Sequence, residues 1–153
     1  MAVYKPPRNI AFRDVSRKSV FLAGSIEMGK AENWQEELSD FFRGLNMDVF
    51  NPRREDWDSS WVQEYTNPQF FQQVNWELNA LEKADLIVMY FAPGTMSPIS
   101  LLELGAFGLS GKMYVVCPEG FWRRGNVEIF CDRYGIPFYS DLTTLKLDLR
   151  TRY

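Results

Sequence analysis

The sequence predicts a single α/β domain built on an open, doubly wound parallel sheet of five strands with helices on both faces. Three observations predict it. Short apolar runs alternate along the chain with segments of helical periodicity, the pattern of repeated strand-helix units. The run Leu86-Ile87-Val88-Met89-Tyr90-Phe91 is apolar without interruption, as a central parallel strand covered on both faces must be. The 153 residues, 46% hydrophobic and 24% charged, suffice for one core of ordinary size and fall short of two.

Each element has its own justification. Residues 1–18 carry prolines and scattered charges without periodicity and are expected to form an irregular arm, leaving 19–153 as the domain. Ser19 to Ala23 is an apolar run ending at Gly24, a buried strand followed by a tight turn. Trp34, Leu38, Phe41 and Phe42 recur at helical spacing between Asn33 and Arg43, with Gly44 as the stop. Asp48 to Phe50 is a short strand. Residues 51–69 hold two prolines, two tryptophans and clustered Asp and Ser, a long polar-aromatic loop of the kind that carries function. Phe71, Val74, Leu78 and Leu81 then mark one apolar face of a helix ending near Lys83, and Trp76, opposite that face, is expected at a subunit interface. After the central strand, 92–98 is a Gly/Pro/Ser/Thr loop. Ile99 to Ser110 is apolar almost all round, as a buried helix would be, and Gly111 caps it. Met113 to Cys117 is a strand, Asn126 to Tyr134 a helix and Ile136 to Tyr139 the fifth strand, while the tail from Asp141 has no decisive pattern.

Composition excludes several kinds of chemistry. The chain has no histidine, which removes Ser-His-Asp and Cys-His nucleophile systems, histidine bases and the common zinc sites. Catalysis must rest on carboxylates, hydroxyls or amides, and neither a cofactor nor a metal is indicated. A net charge of −3 with dispersed basic residues argues against a nucleic-acid polymer and for a small-molecule substrate. Cys117 and Cys131 lie in different elements without CxxC spacing, which suits a reducing cytoplasm. No apolar run approaches the roughly 20 residues needed to cross a bilayer, so no membrane partner is expected.

Ligands in such sheets bind at the carboxyl ends of the strands, which directs attention to the loops at 24–31, 51–69, 92–98 and 118–126. Glu103 is the sharpest signal, a lone carboxylate in the apolar stretch Ile99 to Phe107. Burial there would raise its pKa and make it reactive as a nucleophile or base; alternatively it merely complements a helix dipole. Glu77 falls at the edge of its helix's apolar stripe, from which it can turn inward or remain an exposed acid. Asp56 and Asp58 offer ligand-binding carboxylates, with Trp57 or Trp61 to stack on a flat ring, although a solvated turn explains the same residues. Gly24 and Gly94 permit close backbone approach, but neither GxGxxG nor GxxxxGK[ST] is present. Arg53-Arg54 and Arg123-Arg124 are secondary candidates for phosphate.

Three motifs in order resemble the nucleoside 2-deoxyribosyltransferases and the related nucleotide N-glycoside hydrolases: Phe21-Leu22-Ala23-Gly24-Ser25, Asn75-Trp76-Glu77-Leu78-Asn79 and Leu102-Glu103-Leu104-Gly105-Ala106, followed by Gly111-Lys112. The resemblance spans most of residues 19–139. It implies a flavodoxin-like domain in which Glu103 attacks the anomeric carbon of a 2′-deoxynucleoside and Glu77, where the family usually has Asp, assists the departing base. A second nucleobase then accepts the sugar. Asn126 resembles the asparagine that reaches a neighbouring subunit's site, which implies a homo-oligomer. Phe21 stands where the family has a tyrosine that helps hold the nucleophile. Ser97 stands where well-known transferases have an aspartate and resembles, with Ser25, a phosphate ligand of the hydrolase branch.

The expected activity is therefore base exchange on 2′-deoxynucleosides through a covalent deoxyribosyl-Glu103, in nucleotide salvage by default. Two alternatives stand beside it: hydrolysis of 2′-deoxynucleoside 5′-monophosphates, and a non-catalytic nucleotide-binding domain.

Overall fold

A computed structural model describes residues 1–26, 32–54 and 60–153. Its elements are β1 (Val3–Tyr4), β2 (Ser19–Gly24), α1 (Trp34–Gly44), β3 (Asp48–Phe50), α2 (Pro68–Lys83), β4 (Leu86–Tyr90), α3 (Pro98–Phe107) with a 3-10 turn at Gly108–Ser110, β5 (Met113–Val116), α4 (Arg124–Tyr134), β6 (Phe138–Tyr139) and α5 (Leu142–Arg152). All pairings are parallel, in the order β1-β3-β2-β4-β5-β6. The chain runs outward one way from β2 to β3 and the other way from β4 onward, so the order reverses between β2 and β4. That is the flavodoxin-like arrangement, and its reversal point is where such sheets bind ligands.

Side chains alternate across the sheet and divide the core in two. Val20, Leu22, Val88 and Tyr90 pack with Trp34, Leu38 and Phe42 of α1 and Leu145 and Leu149 of α5. Phe21, Ala23, Ile87 and Met89 pack with Trp76, Ala80 and Leu81 of α2, Leu104 of α3, and Val127 and Cys131 of α4. Every residue of β4 is buried, as its apolar run requires.

Four expectations need correction. The sheet has six strands, because Val3–Tyr4 of the N-terminal arm adds a short edge strand beside β3, and the tail from Asp141 becomes helix α5. The apolar face assigned to α2 is out of phase: Phe71 and Leu78 are exposed, and the inward residues are Gln73, Trp76, Ala80 and Leu81. Trp76 is accordingly a core residue. Its ring packs on Phe21 at 6.4 Å, and its indole N–H donates to the Arg8 carbonyl at 2.8 Å, so the arm covers it. Finally, α3 is buried on one side only, since Ile99 and Leu102 are exposed.

The arm is seated by charge as well as by the edge strand. Asp48, 1% exposed, accepts the Ala2 amide at 2.9 Å and faces Arg13 and Arg17, each at 3.6 Å. Among the described residues, no helix is long and apolar enough to cross a membrane.

Candidate active site

The reversal point is closed by backbone and hydroxyl contacts. Gly24 ends β2 with φ of 137°, and a Cβ there would lie 2.1 Å from the Tyr90 carbonyl oxygen, so only glycine fits. The next residue, Ser25, donates its amide to that carbonyl at 3.0 Å. Its hydroxyl accepts the Ala92 amide at 2.9 Å and meets Thr95 Oγ1 at 2.9 Å and Ser97 Oγ at 2.5 Å. Thr95 and Ser97 are 2.8 Å apart, and all three residues are buried. This triangle of hydroxyls ties β2 to the turn before α3. Ser97 adopts a left-handed conformation, φ 48°, at the N-cap of α3, with no side-chain capping bond. Its hydroxyl turns back to the triangle, and the strained backbone is held by those bonds.

Pro98 starts α3 at a position where a missing N–H costs nothing. Glu103 is the sixth residue of the helix, too far inside it to complement the dipole, and is only 9% exposed. Burial raises its pKa to about 8, and the nearby Glu77 carboxylate adds to the rise. Glu77 projects from α2, partly buried, with its pKa raised by burial to about 7 although a hydrogen bond from Gln73 pulls it down. Two carboxyls so placed titrate as a pair, and around neutral pH they retain protons that exposed acids would have lost.

Of the other residues singled out from sequence, Phe21 is buried in the middle of β2 against Trp76. Gly94 has φ of 77° with open space where a Cβ would stand. Asp56, Trp57 and Asp58 lie outside the described residues. Trp61 carries the Arg54 guanidinium 5.0 Å above its ring. The arginine pairs are engaged elsewhere: Arg53 donates to the Glu32 carbonyl and Gln35 Oε1, Arg124 to the Cys117 carbonyl, Glu128 and Ser140, and Arg123 lies over Trp122. Asn126 is exposed on α4 and lines a groove of about 360 Å³ with Ile129, Phe130, Arg133 and Tyr134. It faces outward from this chain.

Sequence reasoning missed Gln73 and Thr95. The i, i+4 spacing of Gln73 and Glu77 on a helix was the available signal for the first, and the Thr-x-Ser pattern of the turn for the second.

A family model described as nucleoside 2-deoxyribosyltransferase like matches residues 17–121, well over half of the chain. The chain belongs to this family. The match takes in β2 through β5, with Ser25, Glu77, Ser97 and Glu103, and ends before Asn126. A search of curated proteins returns no match. Membership of the nucleoside 2-deoxyribosyltransferase-like family brings nucleosides and nucleobases forward as the ligand class.

Proposed function

We propose that the protein is a nucleoside 2-deoxyribosyltransferase that works through Glu103. The observation carrying this reading is the pair of carboxyls Glu103 on α3 and Glu77 on α2, both drawn out of water, with Glu77 near enough for its charge to act on Glu103. Displacement at an anomeric carbon needs one carboxylate to attack and one acid to neutralise the leaving group. In the proposed first step, a Glu103 oxygen bonds to C1′ as the C1′–N bond breaks. The bond's electron pair leaves with the base, which takes a proton from Glu77. A second base then attacks C1′ through nitrogen, releases Glu103 and returns a proton to Glu77.

In the free protein burial favours the protonated form of both carboxyls, whereas attack requires an ionised Glu103. A bound base that accepts a hydrogen bond from Glu77 favours a proton there, and a sugar developing positive charge beside Glu103 favours its ionised form. Substrate binding thus arms the pair.

Oligomerisation forms part of this proposal. Ile99 and Leu102 of α3, Phe71 and Leu78 of α2, and Ile129 of α4 leave apolar surface exposed on three helices of one sheet face. Asn126 opens onto the α4 groove on that side. A second copy covering this face would receive Asn126 near its own sugar site.

A second reading, hydrolysis of 2′-deoxynucleoside 5′-monophosphates, has one observation in its favour. Three hydroxyls gather at the N-terminus of α3, where a helix favours an anion. They are turned toward one another, however, and a phosphate would have to break their triangle.

Product chromatography separates these readings. The protein is incubated with thymidine plus adenine, and in parallel with thymidine 5′-monophosphate without acceptor, each repeated with Glu103→Ala. The transferase predicts deoxyadenosine that depends on Glu103. Free base released only from the monophosphate would replace that reading with the hydrolase, and no product in either arm would leave a binding domain.

A further inference from the structure

Gln73, 7% exposed, lies one helical turn before Glu77. Its amide nitrogen donates to the Pro52 carbonyl at 3.1 Å and to Glu77 Oε1 at 2.9 Å. Two acceptors use both N–H bonds and fix the amide's orientation, because the turned amide would set an oxygen against two oxygens. Its own Oε1 is buried with no hydrogen-bond partner among the described residues. A buried orphan acceptor is unfavourable, so this side chain is kept for its donor end. The Pro52 anchor is itself firm: the neighbouring Asn51 donates its amide to Tyr4 at 2.9 Å, and its Oδ1 accepts the Arg53 amide at 3.0 Å.

An amide N–H directed at one carboxyl oxygen disfavours a proton on that oxygen. We infer that Gln73 is a positioning residue for the glycosidic chemistry: it holds Glu77 by Oε1, so that Oε2 carries the proton to the departing base. This rests on the reading of Glu77 as the acid in the proposed function. Glu103 of α3 is near enough to feel the Glu77 charge, while the neighbouring loop arginines are engaged with Gln35 and Trp61. In the step, the Oε2–H bond breaks, its proton passes to a base nitrogen or oxygen, and the base departs with the C1′–N electrons. Oε1 keeps the Gln73 bond throughout.

The test compares Gln73→Met, with Gln73→Leu as a second variant, on 2′-deoxyadenosine and on 7-methyl-2′-deoxyguanosine. The base of the second nucleoside is already cationic and leaves without a proton. On 2′-deoxyadenosine, kcat should fall roughly 10- to 100-fold with KM little changed, a fraction of what general acid catalysis supplies. On 7-methyl-2′-deoxyguanosine it should fall less than about threefold, the pattern that Glu77→Ala should show in stronger form. The limb of the kcat–pH profile that belongs to Glu77 should move to higher pH, because the bond that favours its ionised form is gone. Equal loss on both nucleosides would reduce Gln73 to a structural role and overturn the inference, as would no loss on either. Wild-type protein that cleaves neither nucleoside would overturn the proposed function, and this inference with it.

Discussion

Asp48 and Glu103 are both carboxylates removed from water, and their surroundings differ in kind. Asp48 sits at the start of β3 with an amide N–H and two arginines around it. Glu103 sits inside α3, and the charge that bears on it is another acid, Glu77. The first arrangement compensates burial and fastens the N-terminal arm across the sheet edge. The second leaves burial uncompensated, so the carboxyl holds its proton to about pH 8. Buried charge with partners serves folding, and buried charge without them is available for chemistry.

The contrast can be broken by substitution. Glu103→Gln should lower base-exchange activity on the order of a thousandfold or more, as loss of a nucleophile does, while leaving the fold intact by circular dichroism. Retained exchange would remove Glu103 from the mechanism. Asp48→Ala should act oppositely: it should lower unfolding free energy by roughly 3 kcal/mol, because two arginines lose their buried partner, and should spare kcat at temperatures where the protein stays folded. Denaturant titration measures the first effect, and an unchanged midpoint would show that the arm docks without Asp48.

Dependence on pH sharpens the comparison. The folded-state pKa values of Glu103 and Glu77 lie above the ordinary value of 4.5, at about 8 and about 7. Folding therefore favours their protonated forms: their contribution is fully present below pH 4.5 and is lost as pH rises toward 8. Glu103→Gln, neutral at every pH, should exceed the wild type in stability at pH 8.5 and lose that advantage near pH 4. A constant difference across this range would mean that Glu103 is not desolvated.

The smallest effect is expected at Lys112, whose ammonium donates to the carbonyls of Leu81, Glu82 and Ala84 at 2.7, 3.0 and 2.9 Å and so closes the C-terminal end of α2. Lys112→Met should cost about 1 kcal/mol in thermal or denaturant unfolding. A neutral result would show that water replaces the ammonium at those carbonyls.

Much of this organisation was legible beforehand. The strands β2 to β5 follow from apolar runs, and Glu103 stood out because an acid in an apolar helix needs a reason. The family resemblance draws attention to Ser25 and Ser97, and the structure shows that they meet each other and Thr95. The phase of α2 was misread because Trp76 is covered by residues far away in the chain, Arg8 among them. A helical wheel registers which residues share a face but not what lies against it. For the same reason Gln73 passed unnoticed: its importance comes from the Pro52 carbonyl, 21 residues away.

By itself, the amino-acid sequence determined the alternation of strands and helices, the absence of histidine chemistry and the family motifs, because these depend on local periodicity and on which functional groups are present. Tertiary structure alone decided that Glu77 comes near enough to Glu103 to raise its pKa, that Gln73 holds Glu77, and that the arm buries Trp76. Those facts depend on contacts between segments distant in sequence and on how much water each group loses, and both are set only when the helices close on the sheet.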